Sequence, residues 1–228
     1  MTTSRKPRKK GKDTMPEFTI VLGNKAYSSW SLRGWLPLKL CGATFNEIII
    51  PLRQNDSKER ILKASAAGKV PVLKTADGPI WDSLAIAEYL AERFPEAGLW
   101  PEDVFARATA RAVSAEMHSG FASLRSECSM DVCSHHPGHQ LSEATGQDVE
   151  RITAIWRNCR ERFGSGGEFL FGKFCIADAF YAPVVSRFVT YDVTLDPVCS
   201  AYRNAVMSRP EMQEWIEAAH AEPWKLDL

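Results

Sequence analysis

Tyr27, Ser28, Ser29 and Ser31 place four hydroxyls in one short stretch ending at Arg33, where an amphipathic pattern begins. A hydroxyl at a helix entrance caps free amides, and together with the positive end of the helix dipole it can donate to an anion held there. Asp82 and Ser83 repeat the combination at the head of a second periodic segment. Between the two lie Lys69, Val70 and Pro71, leading into the strand-type Val72 and Leu73. X-Pro bonds are cis in about 5–6% of cases in folded proteins. A cis bond here would present the Val70 backbone edge-on to a bound peptide, whereas a trans proline would begin an edge strand; spacing alone allows both. The chemistry these residues offer is the capture of one small anionic ligand between two donor-rich helix entrances.

The elements that must position them follow from periodicity. Residues 18–22 form a short apolar strand, and 30–41 carry Leu32, Leu36 and Leu40 at helical spacing, with Gly42 as the stop. Pro37 inside that helix removes a backbone bond at a cost of about 3 kcal/mol, and Gly34 loosens it further, which predicts a kinked or shortened helix. The β-branched run Ile48, Ile49, Ile50 predicts a buried strand over 46–51, and a weaker helix follows over 57–67. Segments 70–73 and 79–81 flank Ala76-Asp77-Gly78 as a hairpin, and Leu84, Ala87, Leu90, Ala91 and Phe94 predict a helix from Ser83 to the stop at Pro95. A linker at 97–101 ends the strand signals. Beyond it the chain reads as helical over 102–125, 142–163, 176–191, 198–207 and 211–221. The expected organisation is an α/β unit at 17–96 followed by an all-α unit at 101–228.

With 228 residues, 45% of them hydrophobic, the chain can bury a substantial core. Its 28 basic and 28 acidic side chains cancel, so no global charge points to nucleic acid or a membrane surface, and a small neutral or mixed-charge partner is expected. Arg5, Lys6, Arg8, Lys9, Lys10 and Lys12 make 1–16 a basic tail, read as disordered and without the apolar core of a secretory signal. Six cysteines without a Cys-x-x-Cys pair are read as reduced thiols, which predicts a cytoplasmic protein. Cys133, His135, His136 and His139 surround Pro137-Gly138 in a turn whose spacing fits no zinc module, so no metal is expected.

In this order and combination, the Ser28 entrance, Val70-Pro71 and Asp82-Ser83 resemble the glutathione transferase superfamily from about Phe18 to the end of the chain. The resemblance implies a thioredoxin-like βαβαββα domain followed by an all-α helical bundle. It also implies glutathione as co-substrate: Val70 and Pro71 would meet its cysteinyl part through the main chain, Asp82 and Ser83 its γ-glutamyl end, and Lys69 a carboxylate. An ordinary thiol has a pKa near 8.5, and lowering it by about two units takes roughly 2.7 kcal/mol of preferential thiolate stabilisation. Ser28 is the first choice of donor, Ser29 the reserve and Tyr27 the third. Lys25 and Arg33 would add positive potential, or Arg33 would brace its helix by an internal ion pair.

The pattern Ser28-Ser29-x-Ser31-x-Arg33 resembles the zeta class, which includes maleylacetoacetate isomerase, although Trp30 stands where that pattern has cysteine. A bacterial-style serine-type transferase, joining glutathione to a small electrophile in detoxification, is the reading that follows. Its alternatives are a glutathione-dependent cis-trans isomerase and a non-catalytic glutathione-binding or interaction protein. With no cysteine between Tyr27 and Arg33, thiol transfer ranks below conjugation. By resemblance, Met117, His118 and Phe121 would line an apolar substrate pocket closed by Trp215 or Trp224, and the protein would be a homodimer with no nucleic-acid or membrane partner. Gly172 to Asp178 is similar to the family's structural motif before a buried helix, with Cys175 at the position normally held by serine or threonine.

Overall fold

The computed structural model describes residues 16–226; the basic tail expected over 1–16 lies outside them except for its last residue, Pro16. The chain begins with β1 (Phe18–Leu22), α1 (Ser29–Leu40), β2 (Phe45–Ile49), α2 (Ser57–Ala64), β3 (Val72–Thr75), β4 (Gly78–Ile80) and α3 (Ser83–Arg93). The sheet order is β2-β1-β3-β4, with β1 and β2 parallel and the other neighbours antiparallel. After a short 3-10 turn at Pro95–Ala97, the elements among the described residues are helices, apart from two isolated bridges at 169–173: α4 (Val104–Ser119), α5 (Ala122–Glu127), α6 (Glu143–Phe163), α7 (Ile176–Thr190), α8 (Pro197–Met207) and α9 (Pro210–His220). This is a thioredoxin-like sheet with its helices, followed by a helical bundle. No helix among the described residues is long and apolar enough to cross a membrane.

Helix α1 ties the two halves together. It packs on α3 on one side and on α7 on the other, and one hydrophobic cluster runs from Ile20, Trp35 and Ile86 through to Phe180, Tyr181 and Trp215. That burial explains why α1 is not shortened by Pro37. Trp35, Leu36 and Leu38 are all essentially inaccessible, and burying each such side chain contributes about 1.5–3 kcal/mol against the roughly 3 kcal/mol a mid-helix proline costs. Gly34 has a positive reason to be there: a Cβ at that position would lie 2.8 Å from Pro71 Cγ, so only glycine lets α1 sit against the loop before β3.

Two further expectations are corrected. The β-branched strand is not buried: β2 is an edge strand paired only with β1, and Ile48 is 41% exposed. The helix expected over 102–125 is broken, because Gly120 is extended and Phe121 adopts a left-handed conformation, which ends α4 and starts α5. Helix α2 also stops at Ala64, short of the predicted 67.

At the head of α7, Asp178 takes over the capping that a thiol does poorly. Its carboxylate accepts the Cys175 N–H at 2.9 Å and the Leu170 N–H at 3.0 Å, both buried. Burial pushes the Asp178 carboxyl up to about 6.

Candidate active site

A cavity of about 450 Å³ opens beside α1 and α3, lined by Ser28, Lys69, Val70, Pro71, Asp82 and Ser83 among others. The fold thus brings together five of the predicted ligand-binding residues and the preferred hydroxyl. The Val70–Pro71 bond is cis, the alternative that spacing left open. Pro71 is buried against Gly34, Val70 is half-buried, and Lys69 is exposed at the rim.

Asp82 caps α3: one carboxylate oxygen accepts the Leu84 and Ala85 amides at 2.9 and 3.2 Å. Its other oxygen lies 2.8 Å from His118 Nε2 on α4, so this cap also joins the two halves of the molecule. Ser83, the first residue of α3, is fully buried, yet its Oγ has no hydrogen-bond partner among the described residues. An unpartnered buried hydroxyl is costly, about 1–3 kcal/mol. Here it lines the cavity at a helix N-terminus, where a carboxylate would be received by both hydroxyl and dipole.

Ser28 caps α1, its Oγ accepting the Ser31 N–H at 3.3 Å and lying 2.8 Å from Ser31 Oγ. Ser31 Oγ in turn accepts the Gly23 N–H at 2.9 Å. The pair forms a reversible hydroxyl relay. Hydroxyl hydrogens rotate, so Ser31 can donate to Ser28 while Ser28 turns its own hydrogen into the cavity, without either cap being lost. Ser31 is a contributor to which the sequence pattern assigned no role. Ser29 does not reach this cavity. It faces a second one of about 350 Å³, which also takes in Tyr27 and meets the first at Ser28, Trp30 and Leu52.

The positive groups are arranged differently from expectation. Lys25 is buried away from the cavity, paired with Glu47 at 2.6 Å and set over the Trp35 and Trp215 rings. Arg33 forms no ion pair among the described residues: its Nε donates to the Phe180 carbonyl at 2.9 Å, and its guanidinium lies 4.8 Å from the Trp30 ring centre. Burial, reinforced by Arg125 and Arg187, holds Arg33 well below the usual range.

Of the three residues expected to line the acceptor pocket, only His118 lines a cavity. Met117 and Phe121 are buried in the core, Met117 on the α4 face that also buries Ala106, Ala110 and Val113. Trp215 is core as well, packed at a tilt against Trp35 with its Nε1 donating to the Lys25 carbonyl at 2.9 Å, and Trp224 lines neither cavity. In their place the walls include Trp30 and Trp81, 36% and 51% exposed.

All six cysteines are free, and burial raises every one of their thiols, Cys128 to about 11 and Cys159 and Cys199 to about 12. None of them lines either cavity at the Ser28 entrance. No cluster of metal-ligating side chains occurs among the described residues.

Comparison with known proteins agrees with this geometry. The profile of the glutathione S-transferase N-terminal domain matches residues 27–93, the segment that holds the predicted glutathione-contacting residues. A "Probable maleylacetoacetate isomerase" of Caenorhabditis elegans is 35% identical over 96 residues, 42% of this chain and 44% of that protein. A "Glutathione S-transferase zeta class" protein of Euphorbia esula is 25% identical over 199 residues, 82% of this chain and 84% of the relative. Among solved structures, a glutathione transferase homolog from Burkholderia with bound glutathione superposes with a TM-score of 0.67 at 24% identity, covering 90% of this chain and 98% of that one. The poplar glutathione transferase F1 gives the same TM-score at 18% identity, covering 92% of this chain and 100% of that one. Over residues 27–93 the chain matches the glutathione S-transferase N-terminal domain, and over most of its length it is similar to glutathione transferases, zeta-class ones among them.

Proposed function

We propose that the protein is a serine-type glutathione transferase. Glutathione fits the first cavity: the unpartnered Ser83 Oγ at the head of α3 suits the γ-glutamyl carboxylate, the backbone of Val70 beside the cis Pro71 suits the cysteinyl amide, and Lys69 suits a carboxylate at the rim. The Ser83 hydroxyl is the observation that carries the reading, because its environment makes sense once an acceptor arrives. The thiol then lies toward Ser28. Its proton leaves to solvent while Ser28, supported by Ser31, donates to the sulfur anion. The sulfur attacks an electrophilic carbon, forming an S–C bond as the leaving group departs with its electron pair, or as a double bond takes up the pair and then a proton.

A hydrogen bond to a charged group contributes about 1.5–3 kcal/mol, which corresponds to one to two pKa units on the bound thiol, roughly. Titration of bound glutathione by its ultraviolet thiolate absorbance tests this directly. Ser28→Ala is expected to raise the thiol pKa by about one unit or more with glutathione still bound. An unchanged pKa would remove Ser28 from this role, and failure of the wild type to bind millimolar glutathione would leave a non-catalytic interaction protein.

The Caenorhabditis relative and the Ser28-Ser29-x-Ser31-x-Arg33 pattern favour reversible addition as a second reading, in which the adduct rotates and expels the thiolate. The two differ in whether glutathione is consumed or returned. A cytoplasmic homodimer completes the proposal, taken from the family resemblance.

A further inference from the structure

Ser28 is reached from β1 through a short turn, Asn24 to Tyr27, that lies outside any helix or strand. Inside the turn, the Asn24 carbonyl accepts the Tyr27 and Ser28 amides at 3.2 and 2.9 Å, so the position of the turn sets that of Ser28. Its outer polar groups are held by the helical half of the molecule. Glu222 Oε1 accepts the Lys25 N–H at 2.9 Å, and Trp215 Nε1 donates to the Lys25 carbonyl at 2.9 Å. The Val132 N–H donates to the Ala26 carbonyl at 3.2 Å, and the Leu226 N–H to the Tyr27 hydroxyl at 3.3 Å.

Among these holds Glu222 is the charged one. It lies past the end of α9, half-buried, and 197 positions along the chain from the amide it receives. Burial pushes its carboxyl up, and the donors around it work the other way: the Lys25 and Ala26 amides, the Lys25 ammonium and the Asn24 carboxamide. Asn24 Nδ2 and Glu222 Oε2, both buried and otherwise unpartnered, are left as donor and acceptor for each other. Bonds from amides to a carboxylate are charge-assisted and roughly twice as strong as neutral ones. Glu222 lines neither cavity at the Ser28 entrance.

We infer that Glu222 is a positioning residue for Ser28: its carboxylate clasps the turn at Lys25 and so sets the direction in which Ser28 Oγ donates into the first cavity. The inference rests on the reading of Ser28 as donor to the glutathione thiolate. A hydrogen bond weakens steeply as its angle closes. A turn free to rock at Lys25 therefore weakens the bond to sulfur and spares the binding of glutathione, whose proposed contacts at Val70 and Ser83 lie elsewhere on the fold.

The test measures three quantities in the full chain: the thiol pKa of bound glutathione, the Kd of S-methylglutathione, which has no thiol proton to lose, and Tm. Glu222→Ala is expected to raise the thiol pKa by about half a unit, roughly a threefold loss of thiolate near neutral pH, with Kd changed by less than about twofold. Glu222→Gln, whose Oε1 can still accept the Lys25 N–H, is expected to recover part of the shift. In a Ser28→Ala background Glu222→Ala should add nothing to the thiol pKa, since both act through one bond. A residue that only stabilised the fold would lower Tm and leave the thiol pKa where it was.

Amide hydrogen exchange in the free protein reads the clasp without glutathione. Faster exchange at Lys25, Ala26 and Ser28 in Glu222→Ala, with β1 unchanged, supports the inference even if glutathione fails to bind. Unchanged exchange at those amides, a wild-type thiol pKa with glutathione bound normally, or an equal shift in the Ser28→Ala background would overturn it while leaving the transferase reading in place.

Discussion

Ser83→Ala separates two quantities that most active-site substitutions change together. In the free protein the Ser83 Oγ is buried without a partner, and the amides of Leu84 and Ala85 are already capped by Asp82. Removing the hydroxyl therefore breaks no hydrogen bond, and alanine is the better helix former by a few tenths of a kcal/mol, roughly. Stability is expected to stay level or rise by up to about 1 kcal/mol, an increase in Tm of about 2–4 °C in a chain of this size. Glutathione binding should move the other way. A hydrogen bond from Ser83 to the γ-glutamyl carboxylate is worth about 1.5–3 kcal/mol, so Kd should rise by about 10- to 150-fold. Calorimetric titration and thermal unfolding on the same preparation read both numbers. The dipeptide cysteinylglycine, which lacks the γ-glutamyl group, serves as the control, and its weaker binding should not respond to the substitution. An unchanged glutathione Kd, an equal loss with the dipeptide, or a Tm lowered by several degrees would each refute the assignment of Ser83.

Other substitutions probe the scaffold around the site. Gly34→Ala drives a methyl group to 2.8 Å from Pro71 Cγ, and overpacking of this kind costs about 1–3 kcal/mol; glutathione affinity should fall with stability, since the same loop carries Val70. Asp178→Ala strips the buried Cys175 and Leu170 amides of their acceptor, a loss of about 3 kcal/mol or more measurable by denaturant unfolding. Glu127 accepts from Ser142 and Thr145, which holds its carboxyl down at about 2. A depressed folded pKa gives stability that is present above the unfolded value and lost as pH falls through the folded one. Glu127→Gln should therefore flatten the acid limb of the Tm profile between about pH 4.5 and about pH 2, and an identical limb would contradict the assignment.

Much of this was readable in the sequence because it is local. Ser28, Asp82 and Ser142 cap the helices their side-chain types announce, and apolar periodicity placed α3, α6, α7, α8 and α9 within a few residues. What escaped depends on packing between distant segments. Pro37 looked like a helix breaker because the burial that offsets it comes from α3 and α7. The isoleucine run looked buried because nothing local tells an edge strand from a central one. The break between α4 and α5 hinges on the backbone at Gly120 and Phe121, where the left-handed residue is a phenylalanine that gives no warning. Arg33, Arg125 and Arg187 lie on separate helices and have no shared motif, and a formal net charge of zero conceals their cluster entirely.

Trp30 has a kinetic consequence. Flanked by the Arg33 and Arg125 guanidiniums and lying edge-on to His118, it is a fixed partition, and beyond Ser28 and Leu52 the two cavities have no lining residue in common. On the transferase reading, a reactant that enters through the second cavity does not pass through glutathione's space, so binding should follow a random order: initial-velocity lines that intersect, and a conjugate, spanning both cavities, that competes with both substrates. Replacing the indole with a small side chain would merge the two compartments and make each reactant an inhibitor of the other's entry.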